Sequence, residues 1–175
     1  LIDNLKGHKF VSEFKTIEIM KNKIGLKTQD CVELSNQLNQ LLSNYQLLYM
    51  NVRGFHWNIK GNNFFELHVK FEEIYNNLQL KIDELAERIL TLGYTPVHSY
   101  SDYLKHSKVK EKTNMSDGKV AMAEILIAFE IIITLQREIL SLAGEVNDEG
   151  TNALMSDYIR EQEKLTWMYS AYLNQ

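Results

Sequence analysis

The sequence predicts an all-α protein, a four-helix bundle with one long crossover between its second and third helices, and three observations carry that expectation. One proline and eight glycines in 175 residues leave little material for the many turns of a sheet protein. Four segments repeat their apolar residues by steps of three and four, the spacing of one helix face. Between the second and third of these segments, residues 93–116 show no strong periodicity, and a simple hairpin would not need so long a connection.

Composition bounds the function classes. An apolar content of 45% is enough for the core of one domain, and the single cysteine, Cys31, cannot form an intrachain disulfide, which fits a reducing cytoplasm. The greasiest segment, Ile125 to Leu135, is interrupted by Glu130 and falls short of the roughly 20 apolar residues of a membrane helix, so the expectation is a soluble protein with no membrane partner. A formal net charge of −4 argues against a surface that binds nucleic acid everywhere, though not against a local basic arm.

Residues 1–27 form that arm. Lys6, Lys9, Lys15, Lys21, Lys23 and Lys27 face Asp3, Glu13 and Glu18, a net of +3. It reads either as a solvated terminal extension or as a weak DNA contact, and DNA binding ordinarily uses denser charge. Because the chain starts on Leu, residues 1–14 are expected to include processed or added sequence and carry little weight.

The bundle spans 28–175. A first helix starts near Thr28 to Asp30, where Asp30 with Glu33 resembles a capping box, and its seam is Leu34, Leu38, Leu41, Tyr45, Leu48, Val52 and Phe55. That seam delivers His56 to the last turn. The short connection 58–62 sends the second helix, 63–92, back antiparallel, with its apolar stripe at Leu67, Phe71, Ile74, Leu78, Ile82, Leu85, Ile89 and Leu92. Gly93 and Pro96 stop the pattern. The crossover then carries the chain the length of the bundle, with a short helix at 101–106, so that helices two and three run parallel; His98 and His106 within it read as solvated. The third helix, 117–145, is apolar on most sides, as expected of a helix covered by its bundle and by a neighbouring subunit. The fourth begins after Asn147-Asp148-Glu149-Gly150 with Thr151 as its cap and a seam of Leu154, Tyr158, Leu165, Met168 and Tyr172, which Glu161 interrupts.

The chemistry gathers on the second helix. At about 100° per residue, His68, Glu72, Asp83 and Glu87 fall within roughly 100° of one another and away from the apolar stripe. Imidazole and carboxylate together suit divalent iron, zinc or manganese. His68 and Asp83 are 83 − 68 = 15 residues apart, about 22 Å along one helix, while metal–ligand bonds are about 2 Å. One ion therefore cannot be held by both residues of the same chain. Two such helices crossing antiparallel near Asn76 and Asn77 would bring His68 of one copy to Asp83 and Glu87 of the other.

The stretch HWNIKGNNFFELHVKFEEIYNNLQLKIDELAERI, with His56, His68, Asp83 and Glu87 at successive spacings of 12, 15 and 4, closely resembles the Dps family of ferritin-like mini-ferritins; DEGTNALMSDYIREQEKLTWMYSAYL resembles the family's final helix. The match covers residues 28–173. The resemblance implies a ferritin-like bundle, a hollow homo-dodecamer in the cytoplasm or on the nucleoid, and a ferroxidase that oxidises ferrous iron with hydrogen peroxide, stores ferric mineral and protects against oxidative stress. It implies that His56 and His68 come from one subunit, Asp83 and Glu87 from its partner, with Glu72 as an auxiliary carboxylate. Asp148 and Asp157 match positions lining the family's iron-entry pores; read without the family they are a turn acid and a solvated helix acid.

The departure from the family is the weakly basic arm, which counts against DNA binding; DNA compaction with metal binding secondary is the alternative function. A third class is a helical assembly with no chemistry. No Glu is followed three residues later by His, which argues against a di-iron centre inside one bundle. Trp57, beside the first ligand, reads as an interface aromatic or as a sink for an oxidising equivalent.

Overall fold

The structure, a computed structural model, describes residues 20–174. Lys6, Lys9 and Lys15, three of the six lysines of the expected basic arm, lie outside the described residues with its three acids, Asp3, Glu13 and Glu18, as does Gln175. Five helices follow: α1 Thr28–Asn58, α2 Phe64–Thr91, α3 Tyr100–His106, α4 Gly118–Glu145 and α5 Glu149–Tyr172. Apart from an isolated antiparallel bridge between Lys21 and Lys27, the described residues contain no β pairing. None of their helices is long and apolar enough to cross a membrane.

The helix starts differ from expectation in two places. The Asp30 box does not form: α1 opens on Lys27, whose side chain makes no cap, because the strap before it already supplies Met20 O to Thr28 N–H at 3.0 Å. Glu33 instead accepts from Gln37 Nε2 one turn on. At the other end of the chain the cap is Asp148, not Thr151. The main chain leaves α4 through Asn147 in the left-handed region (φ 59°), so that Asn147 N–H returns to Gly144 O and Asp148 N–H to Ala143 O. This Schellman turn places Asp148 at the start of α5, where its carboxylate accepts from Thr151 N–H at 3.2 Å.

The seam of α1 is buried along its whole length, and so is the stripe of α2 except for Ile82, which is half-buried. On α5 the buried side chains are Thr151, Met155, Tyr158, Gln162 and Tyr169, while Met168 is exposed. Of the expected seam, Tyr158 is buried and Leu154, Leu165 and Tyr172 are half-buried against the core, so the buried line extends beyond it to Thr151, Met155, Gln162 and Tyr169. The reason is a polar core: Gln136 of α4 and Gln162 of α5 both donate their amide N–H to the hydroxyl of Tyr45, the former at 2.7 Å, and the edge of Tyr158 packs on Tyr45 at 6.2 Å. A glutamine whose amide N–H is bonded to a buried tyrosine sits inside, but hydrophobic periodicity places it outside.

The crossover runs the length of α1, held by asparagines that face it. Asn39 accepts from Val97 N–H, Asn44 from Lys108 N–H, and Asn51 both donates to Lys110 O and accepts from Lys112 N–H. Lys60 N–H then reaches Ser116 O, and Gly118 opens α4 so close to α2 that a Cβ there would meet Leu67 Cδ1 at 2.1 Å. The first turns of α2 and α4 therefore share one end of the bundle, and the two helices run parallel. α1 packs antiparallel to α2, and α4 to α5.

Candidate metal centre

The end of α1 and the start of α2 meet at two histidines. The regular seam of α1 fixes the rotation at which His56 leaves its last turn, and the five-residue turn with Gly61 at φ 109° brings His68 against it. His56 Nδ1 lies 2.7 Å from His68 O, and His68 Nδ1 lies 2.9 Å from His56 O. A carbonyl can only accept, so each ring carries a proton on Nδ1, and in the neutral ring Nε2 then holds the lone pair. This reciprocal lock stacks the two rings, centroids 3.7 Å apart and 19° from parallel. A hydrogen bond from the second nitrogen to a carbonyl is how metal-binding histidines are commonly oriented.

Aromatic rings close the back of the pair. Phe64 stacks on His68 at 5.1 Å, and Tyr75 presents its edge to His56 at 5.4 Å. The Tyr75 hydroxyl donates to Glu72 Oε1 at 3.4 Å, which aims that carboxylate along the helix from His68. Desolvation, then the Glu72 charge, holds the Tyr75 phenol above its ordinary range. Beyond it the edge of Tyr49 meets Tyr75 at 6.2 Å, and the Arg53 guanidinium lies over both Tyr49 (5.4 Å) and Trp57 (4.8 Å).

Asp83 and Glu87 do not join the histidines. Both are exposed further along α2, and among the described residues no three His, Cys, Asp or Glu side chains gather closely enough to hold a metal ion. They share their side of the helix with Phe65, Val69, Leu80 and Leu90, which are 82%, 52%, 66% and 59% exposed. An acidic face so rich in uncovered apolar groups is unlike a solvated one.

Other acids find partners within the chain. Glu161 accepts from Asn77 Nδ2 at 2.9 Å and from the buried Lys81, whose ammonium also sits 4.3 Å from the centre of the Tyr158 ring. Glu84 accepts from the Tyr158 hydroxyl. Asp148, 2% exposed, is committed to Arg88 and to the Thr151 hydroxyl at 2.6 Å. Burial pushes the Asp148 carboxyl up, but hydrogen bonds from Thr151 and Arg88 outweigh it and hold the group below its usual range. Of the two acids matched to a pore, Asp157 has carboxylate oxygens open to solvent, beside Arg160 at 2.8 Å, and Asp148 does not. His98 and His106 are exposed and return Nδ1 to carbonyls of their own segment. Sequence reasoning missed Tyr75 and Lys81; a lysine in the α2 stripe, one position before Ile82, was the visible signal for the second.

Comparison with known proteins places this architecture. The model of the ferritin-like domain matches residues 35–175. A crystal structure of the Dps protein from Vibrio cholerae O1, described as a member of a broad superfamily of ferritin-like diiron-carboxylate proteins, is 60% identical, with a TM-score of 0.87, covering 89% of this chain and 98% of that one. The DNA protection during starvation protein of Porphyromonas gingivalis is 44% identical over 85% of this chain and 93% of its own length. The protein of the same name from Helicobacter pylori is 35% identical over 78% and 95%.

Proposed function

This chain belongs to the Dps family of ferritin-like proteins, and from that premise we propose that it is a ferroxidase and iron store, taking ferrous iron and hydrogen peroxide as substrates. His56 and His68 of one subunit, with Glu72 beside them, bind ferrous iron together with Asp83 and Glu87 of a second copy. The reciprocal His56–His68 lock carries this reading, because it orients two Nε2 atoms while, among the described residues, no group of three His, Cys, Asp or Glu side chains gathers closely enough to complete a site within one subunit. The exposed apolar groups around Asp83 and Glu87 support a second copy of α2 as their cover.

The protein's contribution is to hold iron beside a position open to oxidant, so that peroxide takes two electrons from two ferrous ions and leaves as water. Imidazole accommodates ferrous iron, and the carboxylates favour the ferric product, which passes on to a mineral inside a hollow dodecamer. Asp157 is the proposed contributor to the iron-entry pore; Asp148 serves that pore only by fixing the start of α5. Consuming ferrous iron and peroxide together protects DNA without touching it, in a cytoplasmic setting.

Anaerobic ferrous iron mixed with peroxide should be oxidised in fixed proportion to subunits, and His56→Ala should reduce the rate to that of free iron. A wild-type rate no faster than buffer contradicts the proposal. The names of the relatives favour a second reading, direct DNA compaction through the lysine-bearing arm. A mobility-shift series across salt concentration decides it, and no retardation at low salt removes it.

A further inference from the structure

We infer that Lys81 and Glu161, beyond tying two helices together, are positioning residues of the iron site: with Asn77 they hold α2 at the rotation that turns its ligand face to a second copy. The inference rests on the shared site proposed above and adds what aims the helix that carries both halves of it.

α2 packs closely on α1, and α5 on α4. Between α2 and α5 runs a ladder of polar side chains. Asn77 Nδ2 donates to Glu161 at 2.9 Å, and the ammonium of Lys81, a side chain only 5% exposed, donates to the same carboxylate. The Tyr158 ring lies under that ammonium at 4.3 Å, and its hydroxyl donates to Glu84. Arg88 then donates to Thr151 Oγ1 at 2.9 Å and pairs with Asp148. The partners rise along α2 as they fall along α5, the order expected of antiparallel helices held in one register.

The ladder grips α2 from behind. At about 100° per residue, with His68 at 0°, Asn77, Lys81, Glu84 and Arg88 fall at roughly 160° to 220°, whereas His68, Glu72, Asp83 and Glu87 span roughly 0° to 100°. The ladder therefore acts on the ligands only through the rotation of the helix. Ligand atoms stand roughly 6 Å from the helix axis, so a turn of about 10° carries each by about 1 Å. A metal constellation tolerates about 0.5 Å, and in a site shared by two copies both α2 helices turn.

Asn77 and Lys81 lie between His68 and Asp83 in the chain, so the clasp holds the segment that joins the two ligand sets. The apolar stripe beside it supplies attraction with little direction, while a hydrogen-bonded ammonium fits one rotation. A buried lysine is also a poor source of stability, since replacing such a pair by well-packed apolar groups is often neutral or stabilising. What the pair supplies is orientation.

The test probes the full assembly with cobalt(II), read by titration and by its visible absorption band, beside assembly mass and chemical denaturation of the same preparations. Lys81→Met combined with Glu161→Leu should assemble and resist denaturant as well as wild type. It should nevertheless bind cobalt(II) roughly 10- to 100-fold more weakly, with an altered band, the loss usual when a ligand's orienting partner is removed. Glu161→Gln, which still accepts from Asn77 and Lys81, should keep the wild-type band and most of the affinity. Glu161→Leu alone, at a side chain 39% exposed, should lose binding as the double variant does, and decides the case if that variant does not assemble. Wild-type affinity and band in an assembled variant overturn the inference, as does weak binding confined to variants that have also lost stability. If His56→Ala abolishes cobalt(II) binding and the ladder variants do not weaken it, this inference fails alone; if His56→Ala leaves binding unchanged, the proposed site fails with it.

Discussion

Two groups of acids lie on or against α2, and the chain treats them in opposite ways. Asp148, Glu161 and Glu84 each have a partner within the chain: Arg88, Lys81 and the Tyr158 hydroxyl. Asp83 and Glu87, round the same helix, are exposed among apolar side chains that are themselves exposed among the described residues. The difference teaches which charges build the fold and which are reserved. A carboxylate matched inside the subunit is structural, and one left open beside an uncovered apolar face is, in the proposed reading, held for another chain.

Removing a reserved acid should separate activity from stability most widely. Asp83→Ala is expected to bring peroxide-driven iron oxidation down to the rate of free iron while changing subunit stability by no more than about 0.5 kcal/mol, as an exposed substitution does. Stopped-flow oxidation and denaturant unfolding of the same preparation check both halves. A loss of stability in proportion to the loss of activity would erase the distinction.

Removing a structural partner should do the reverse. Arg88→Ala leaves Asp148 buried at 2% exposure without its counter-charge, and about 3–5 kcal/mol is the usual cost of breaking such a pair. Thr151 still caps part of that carboxylate, which favours the lower end. Chemical denaturation reads the effect, and a change under about 1 kcal/mol would show that Asp148 reaches water.

The smaller effect is one of pH. Because the Asp148 carboxyl is held below its unfolded value, its stabilisation is fully present above about pH 4 and is lost as pH falls through the lower folded value. Acid unfolding followed by circular dichroism should be less steep in Asp148→Asn, which lacks that proton uptake. An unchanged slope would mean that other carboxylates carry the transition.

The same contrast explains what was legible in the sequence. Leu34 to Phe55 on α1 spoke plainly because every position of the seam is apolar but for the phenol of Tyr45, while the buried Ser35, Ser43, Asn44 and Asn51 lie off that line. On α5 the inward-facing Thr151 and Gln162 were not legible, because they are polar and their partners, Asp148 and Tyr45, are charged or far away in sequence. The cap of α5 was misplaced for a related reason: nothing local says that Asn147 turns left-handed and hands the role to Asp148. Spacing alone placed His68 and Asp83 too far apart for one chain, whereas the reciprocal His56–His68 lock and the Tyr75–Glu72 contact depend on how the α1–α2 turn folds. The candidate ligands were written in the sequence; the orientation of the histidines was not.

The central claim, that each iron site is shared by two copies of the chain, is tested most directly by mixing two inactive proteins. His56→Ala and Asp83→Ala subunits, dissociated and reassembled together at equal amounts, form mixed pairs in which one site lacks both residues and the other keeps both. With random pairing, about a quarter of all sites are intact. Shared sites predict recovery of ferrous oxidation by peroxide to about a quarter of the wild-type rate. Mixed assemblies, verified by mass, that remain as inactive as their parents would contradict it.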